Sequence, residues 1–114
     1  MTDYLNNVDA LAAHVPDGAL MALPPEYSIV PMELVRAIIR RGVKNLNILT
    51  VPINGLAADM LIGAGCVKRV ECAAVSLGEA GSAPRFSKAV ENGTIDIVDS
   101  TCPAVHSALQ ATEK

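Results

Sequence analysis

The stretch Leu46 to Leu77, LNILTVPINGLAADMLIGAGCVKRVECAAVSL, places a short apolar run, a helical segment and a second short apolar run one after another. The runs Leu46 to Val51 and Arg69 to Val75 are mostly apolar, and the segment between them is long enough to cross over between parallel strands. The sheet is therefore read as parallel, and because such a crossover is nearly always right-handed it dictates where a ligand can go. In an open parallel sheet the loops that leave the strands collect along one edge, and ligands bind in the crevice there. Function is therefore sought at Val51 to Gly55 and at Leu77 to Ala83, not within the strands.

The flanking sequence extends this pattern. Thr2 can cap a first helix with Leu5, Val8, Leu11, Ala12 and Val15 at helical spacing, ended by Pro16-Asp17-Gly18. Ala19 to Leu23 is a short strand, and Pro24-Pro25-Glu26-Tyr27-Ser28 a stiff loop, because adjacent prolines fix two φ angles and remove two donors. Pro31 suits the first position of a helix with Met32, Val35, Ile38 and Ile39 inward, closed by Gly42. After the Leu46 strand, Asn54 can cap a helix from Leu56 to Ala64, and Gly65 ends it. Gly78 to Ala83 is a flexible loop before a helix opened by Pro84 and stopped by Gly93. Ile95 to Val98 is a fourth strand, and Ser100 to Pro103 starts a last helix. The expected fold is thus one α/β domain over residues 1–114, a helix followed by four βα units around a mainly parallel sheet of about four strands. Helices are needed on both faces of such a sheet, and a sheet this small leaves edge strands short of cover, which points to a partner or to a chain shorter than its relatives.

A hydrophobic fraction of 51% with 3% aromatics and no Trp describes a core of Val, Ile, Leu and Ala and excludes a disordered chain. A net charge of −3, with no basic cluster beyond Arg36, Arg40 and Arg41, excludes a nucleic-acid footprint. Three widely spaced cysteines, Cys66, Cys72 and Cys102, read as reduced thiols of a cytoplasmic protein and form no zinc pattern. No secretory signal and no membrane span is expected.

Gly63-x-Gly65 falls at a helix C-terminus, where the dipole repels anions, and is read as a stop. Gly78-x-x-Gly81 sits after a strand and before a helix, where amides could meet a phosphate or a thioester carbonyl, or serve a plain turn. Glu26, Glu79 and Asp99 follow strands and could do acid-base or nucleophilic work; each also reads as an ordinary solvated carboxylate. Cys102 precedes Pro103 at a helix start but has no sequence-near His, and His14 and His106 have no ligand-spaced neighbours.

From Pro16 to about Ala111 the chain resembles the N-terminal half of the alpha subunit of family I coenzyme A transferases, the group that includes glutaconate CoA-transferase. The resemblance is carried by Asp17-Gly18, Pro31-x-x-Leu34-Val35, Gly55-Leu56-x-x-Asp59-x-Leu61, Gly65-x-Val67-x-Arg69-Val70, Pro84-Arg85-Phe86, Ala89-Val90-Glu91-x-Gly93 and Leu109-Gln110-Ala111. It implies a three-layer α/β/α fold and an alpha-beta hetero-oligomer, with a homo-oligomer as the alternative. The implied activity is transfer of CoA between carboxylic acids through a glutamyl-CoA thioester. The nucleophilic glutamate of such enzymes belongs to the beta subunit, so the resemblance assigns no catalytic residue here, no metal and no permanently bound cofactor, the CoA thioester being substrate. Glu91-Asn92-Gly93, which looks like the signature that carries the nucleophilic glutamate in one family of acyl-CoA enzymes, lies at the wrong sheet edge and is read as a helix stop.

What the resemblance does imply is an acyl-CoA or carboxylic acid pocket lined by Pro25, Glu26 and Ser28, by Asn54 and Gly55, and by Gly78, Glu79 and Gly81, with Asp99 near it. The chain departs from the family at Pro24-Pro25-Glu26, which replaces a glycine-rich turn and removes amide donors. That departure leaves open a second reading, a catalytically silent interaction or regulatory module. A sugar-phosphate isomerase-like domain is disfavoured, since no Lys or paired acid sits in a strand-following loop.

Overall fold

The computed structural model describes residues 2–112. In chain order its elements are α1 (Val8–Ala12), β1 (Leu20–Leu23), α2 (Met32–Arg41), β2 (Leu46–Thr50), β3 (Ile53–Asn54), α3 (Leu56–Gly63), β4 (Val67–Cys72), β5 (Ala74–Val75), a 3-10 turn (Gly78–Ala80), α4 (Pro84–Asn92), β6 (Asp96–Asp99) and α5 (Cys102–Ala111). Strands β1, β2, β4 and β6 lie side by side in that order, all parallel, and β3 and β5 form a separate parallel pair. This is the α/β arrangement with a four-stranded parallel sheet that the strand–helix–strand pattern implies.

Side chains alternate across a strand, so register decides which residues share a face. Leu23 pairs with Thr50, and Ile48 with Val70, which sets these four with Cys72 on one side, and all five are buried. Leu23, Ile48, Val70 and Cys72 join a single cluster with Ala12 of α1, Val35 and Ile38 of α2, Ala57, Leu61 and Ile62 of α3, and Ala89 of α4. On the opposite face one row, Leu20, Asn47, Arg69 and Asp96, runs across the sheet in register, with Leu20, Arg69 and Asp96 exposed. The next row, Ala22, Leu49, Glu71 and Val98, is half-buried apart from Ala22. Val105 of α5 is fully buried but stands outside the cluster of the first face, as do Leu49 and Val98.

The helices differ in how they are held. In α2 the buried Val35, Ala37 and Ile38 recur on one side while Glu33, Arg36 and Arg40 stay exposed, and Gly42 terminates it in the left-handed region at φ 73°. Arg41 at its end donates to the carbonyls of Ala12 (3.0 Å) and Val15 (2.5 Å), which terminates α1 with groups its own chain segment cannot supply. The ion pairs Arg40–Asp9 (3.1 Å) and Arg36–Glu33 (2.6 Å) are exposed and contribute at most about 1 kcal/mol each. No helix among the described residues is long and apolar enough to cross a membrane.

Several sequence-based boundaries are corrected. The first helix is shorter than expected: Asn7, not Thr2, caps it by accepting from Ala10 N (2.8 Å), and Tyr4 and Leu5 lie exposed before it. The expected continuous strand Arg69 to Val75 starts earlier, at Val67, and breaks at Ala73. There the Ala73 amide donates to the Pro52 carbonyl (3.1 Å) and the chain leaves the main sheet to pair as β5 with β3. Sequence patterning gives no sign of that pair, because two-residue strands carry no periodicity to detect. Pro31 is the residue before α2, and its fixed φ of −80° still sets up the first turn.

Candidate functional site

The loops after β1, β2 and β4 all leave the same sheet edge, and their residues interlock there. Asn54 is the hub. Wholly buried, it donates through Nδ2 to the Pro24 carbonyl (2.8 Å) and accepts through Oδ1 from Ala58 N in the first turn of α3 (2.8 Å). Its own carbonyl accepts from Ser76 N (2.9 Å). One side chain thus satisfies a loop carbonyl and an α3 amide that burial would otherwise leave unpaired.

Glu26 supplies the second link, accepting at Oε2 from Leu56 N, the first amide of α3, at 3.1 Å. A carboxylate at a helix N-terminus is favoured by the exposed amides and by the dipole, here from a residue 30 positions away. Gly55 makes this approach possible. A Cβ added there would fall 2.6 Å from the Glu26 carboxyl and would collide with the Ser76 carbonyl. Gly78 does the same for the third loop: its φ is +62°, and the Tyr27 hydroxyl occupies the place a side chain would take. Ser76 Oγ accepts from Gly78 N (3.1 Å), and Leu77 N donates to Gly81 O (2.9 Å), closing the turn in which Glu79 is exposed.

Of the residues expected to line a pocket, the structure brings Glu26, Asn54, Gly55 and Gly78 into one junction, with Gly81 tied to it through Leu77. Pro25 closes its own turn by accepting from Ser28 N (2.9 Å), and both residues are exposed. Asp99 is exposed at the end of β6 beside its register partner Cys72, and no hydrogen bond or ion pair among the described residues joins it to the three loops. Burial pushes the Cys72 thiol up from its ordinary pKa, and the carboxylates of Asp99 and Glu71 push it further. Cys102 is exposed, as are His14 and His106. No group of three His, Cys, Asp or Glu among the described residues could hold a metal ion.

Three participants escape a sequence reading. Tyr27 and Ser76 act through backbone neighbours in other loops, which no local spacing reveals. Asp59, 5% exposed, accepts from Phe86 N (2.8 Å) and ties α3 to the start of α4. Its signal is legible: a single charge in LAADMLIG, a helix apolar on every side, has to be buried with a donor.

A sequence profile described as coenzyme A transferase matches residues 5–106. One of the subunits of 3-oxoadipate CoA-transferase from Pseudomonas knackmussii is 32% identical over 93 residues, covering 82% of this chain and 33% of that protein. Among solved structures, glutaconate coenzyme A-transferase from Acidaminococcus fermentans aligns with a TM-score of 0.76 and 27% identity over 88% of this chain and 32% of that one. A variant of the decarboxylase AibA/AibB aligns with a TM-score of 0.68 and 26% identity, covering 81% and 36%. The chain spans about a third of the length of these relatives, less than the half its motifs implied. With a family profile matched across residues 5–106, the chain belongs to the coenzyme A transferase family.

Proposed function

We propose that the chain works as an alpha-type component of a CoA-transferring enzyme, with the rim built by Glu26, Asn54, Gly55 and Gly78 receiving an acyl-CoA or carboxylic acid. The nucleophilic carboxylate comes from a beta-type partner chain, and coenzyme A enters as substrate rather than as a bound cofactor. Such a carboxylate attacks a thioester effectively when it is desolvated and faces amide donors for the developing oxyanion. The supporting observation is the interlock itself. Asn54 and Glu26 hold the loops after β1 and β2 to α3, and Tyr27 packs on the loop after β5, so the three loops present one fixed surface at the strand ends. The thiol pattern fits a cytoplasmic location.

The test is co-expression with a beta-type CoA-transferase chain, followed by an assay of CoA exchange between short acyl-CoAs and free acids. Exchange by the co-purified pair supports the reading. A chain that neither co-purifies with such a partner nor exchanges CoA sinks it. Product analysis in the same assay separates transfer from hydrolysis or carbon–carbon cleavage, chemistry suggested by the likeness to a decarboxylase.

One observation favours a second reading, the silent module. Three amides at the rim, those of Leu56, Ala58 and Gly78, are already taken by Glu26, Asn54 and Ser76 of the same chain. Calorimetry of the isolated chain with CoA and butyryl-CoA separates the two, because a silent module gives no binding heat.

A further inference from the structure

We infer that the acyl group received at this rim carries no second charge: it is a short apolar monocarboxylic chain rather than a dicarboxylic one. The inference rests on the acyl-thioester reading above and narrows its substrate class.

Charge is the first ground. None of the nine Lys and Arg residues falls in segments 24–30, 51–56 or 76–83, the three loops of the rim. Those segments do hold Glu26 and Glu79, and Asp99 ends the strand beside β4. From this chain's loops a distal carboxylate on an acyl chain would therefore meet like charge and no cation, and a carboxylate held without a paired donor in a dehydrated site is strongly disfavoured. Arg85 is the basic residue closest in sequence to these loops, and it is turned away. Its stem lies against Gly63, where an added Cβ would fall 2.9 Å from Arg85 Cγ. Gly63 is the last residue of α3 and Leu56 the first, so the two ends stand roughly 10 Å apart along the helix.

Apolar exposure is the second ground. Tyr27, next to Glu26, is 84% exposed, Leu56 itself 44%, and Ile53, in the same loop as Gly55, 37%. Aliphatic side chains such as Leu56 and Ile53, held partly in water, gain by covering an alkyl chain, each buried methylene contributing roughly fourfold in affinity. The 3-oxoadipate and glutaconate named for the relatives are dicarboxylates, so the acyl group inferred here differs in charge from both of those named acids.

The experiment compares butyryl-CoA with glutaryl-CoA, which share the CoA portion and differ in the distal carboxylate. Each is titrated calorimetrically into the full chain, purified with its beta-type partner, and into the same complex carrying Ile53→Lys, a substitution at an exposed position that adds a cation to the rim. The unsubstituted protein is expected to bind butyryl-CoA at least about tenfold more tightly, and Ile53→Lys to bring the ratio towards one or reverse it. Equal or tighter binding of glutaryl-CoA by the unsubstituted protein overturns the inference and leaves the acyl-thioester reading standing. An unchanged ratio in Ile53→Lys overturns the placement of the acyl chain at this rim. Binding of neither thioester overturns the acyl-thioester reading and the inference with it.

Discussion

Helices α2 and α3 stand on the same sheet and are made in opposite ways. In α2 one side is wet and one side buried; its start at Pro31 has no side-chain cap, and the apolar stripe seats it on the sheet. Helix α3 buries Ala57, Ala58, Asp59, Leu61 and Ile62, and its first turn is held by Asn54 and by the distant Glu26. A stripe fixes where a helix lies against a sheet, whereas remote caps also fix what surrounds its N-terminus. The chain uses the second device at α3, whose N-terminus meets the three rim loops, and the first at the N-terminus of α2.

The largest test of this contrast removes core from both helices. Leu61→Ala and Ile38→Ala, both at fully buried positions, should each cost about 3 kcal/mol in urea unfolding, since packing is common to both. A much smaller loss at Leu61 would mean that caps rather than packing hold α3. Next comes Gly55→Ala, expected to cost about 2 kcal/mol because the added Cβ meets the Ser76 carbonyl and the Glu26 carboxyl. Gly42→Ala at the end of α2 has open space and carries only the left-handed backbone penalty, roughly 1 kcal/mol. Equal losses in equilibrium unfolding would erase the distinction between a steric and a conformational glycine.

A smaller effect comes from charge. Glu26→Gln removes a carboxylate from the N-terminus of α3 and should cost about 0.5–1 kcal/mol, against less than about 0.5 kcal/mol for Glu33→Gln, whose partner Arg36 is exposed. The loop amides of 26–30 should shift in NMR spectra of the first variant and not of the second.

The smallest is a slope. The folded-state pKa of Cys72 is raised by burial first and by Asp99 and Glu71 after it, so the folded protein holds that proton more tightly than the unfolded one. Its contribution is fully present below the unfolded thiol value of about 8.5 and is lost as pH rises through the raised folded value. Urea midpoints measured upward from about pH 8 should therefore fall, and Cys72→Val should flatten that fall.

The same contrast explains what is legible in the sequence. The stripe of α2, the Pro84 start and the glycine stops at Gly42, Gly65 and Gly93 depend on residues within one or two turns of each other, and the strand order follows from the short βα links. The Glu26–Leu56 and Asn54–Pro24 bonds each span 30 residues, so their donors and acceptors can be named as loop residues but not paired. Asp99 follows a strand at the same edge, which is why sequence order puts it near the loops. Register instead sets it beside Cys72, one strand further out.

The short β3–β5 pair has a bearing on how this chain can change. Because the Ala73 amide reaches back to Pro52, and Asn54 pairs with Val75, the two connections leave the sheet as a two-stranded arm with matched lengths. An insertion of one residue in either connection would break that match and shift Asn54 relative to Pro24, 30 residues away. Length variation at the two places is therefore tolerable only in step, and the arm works as a ruler that keeps the first loop at a constant height above the sheet.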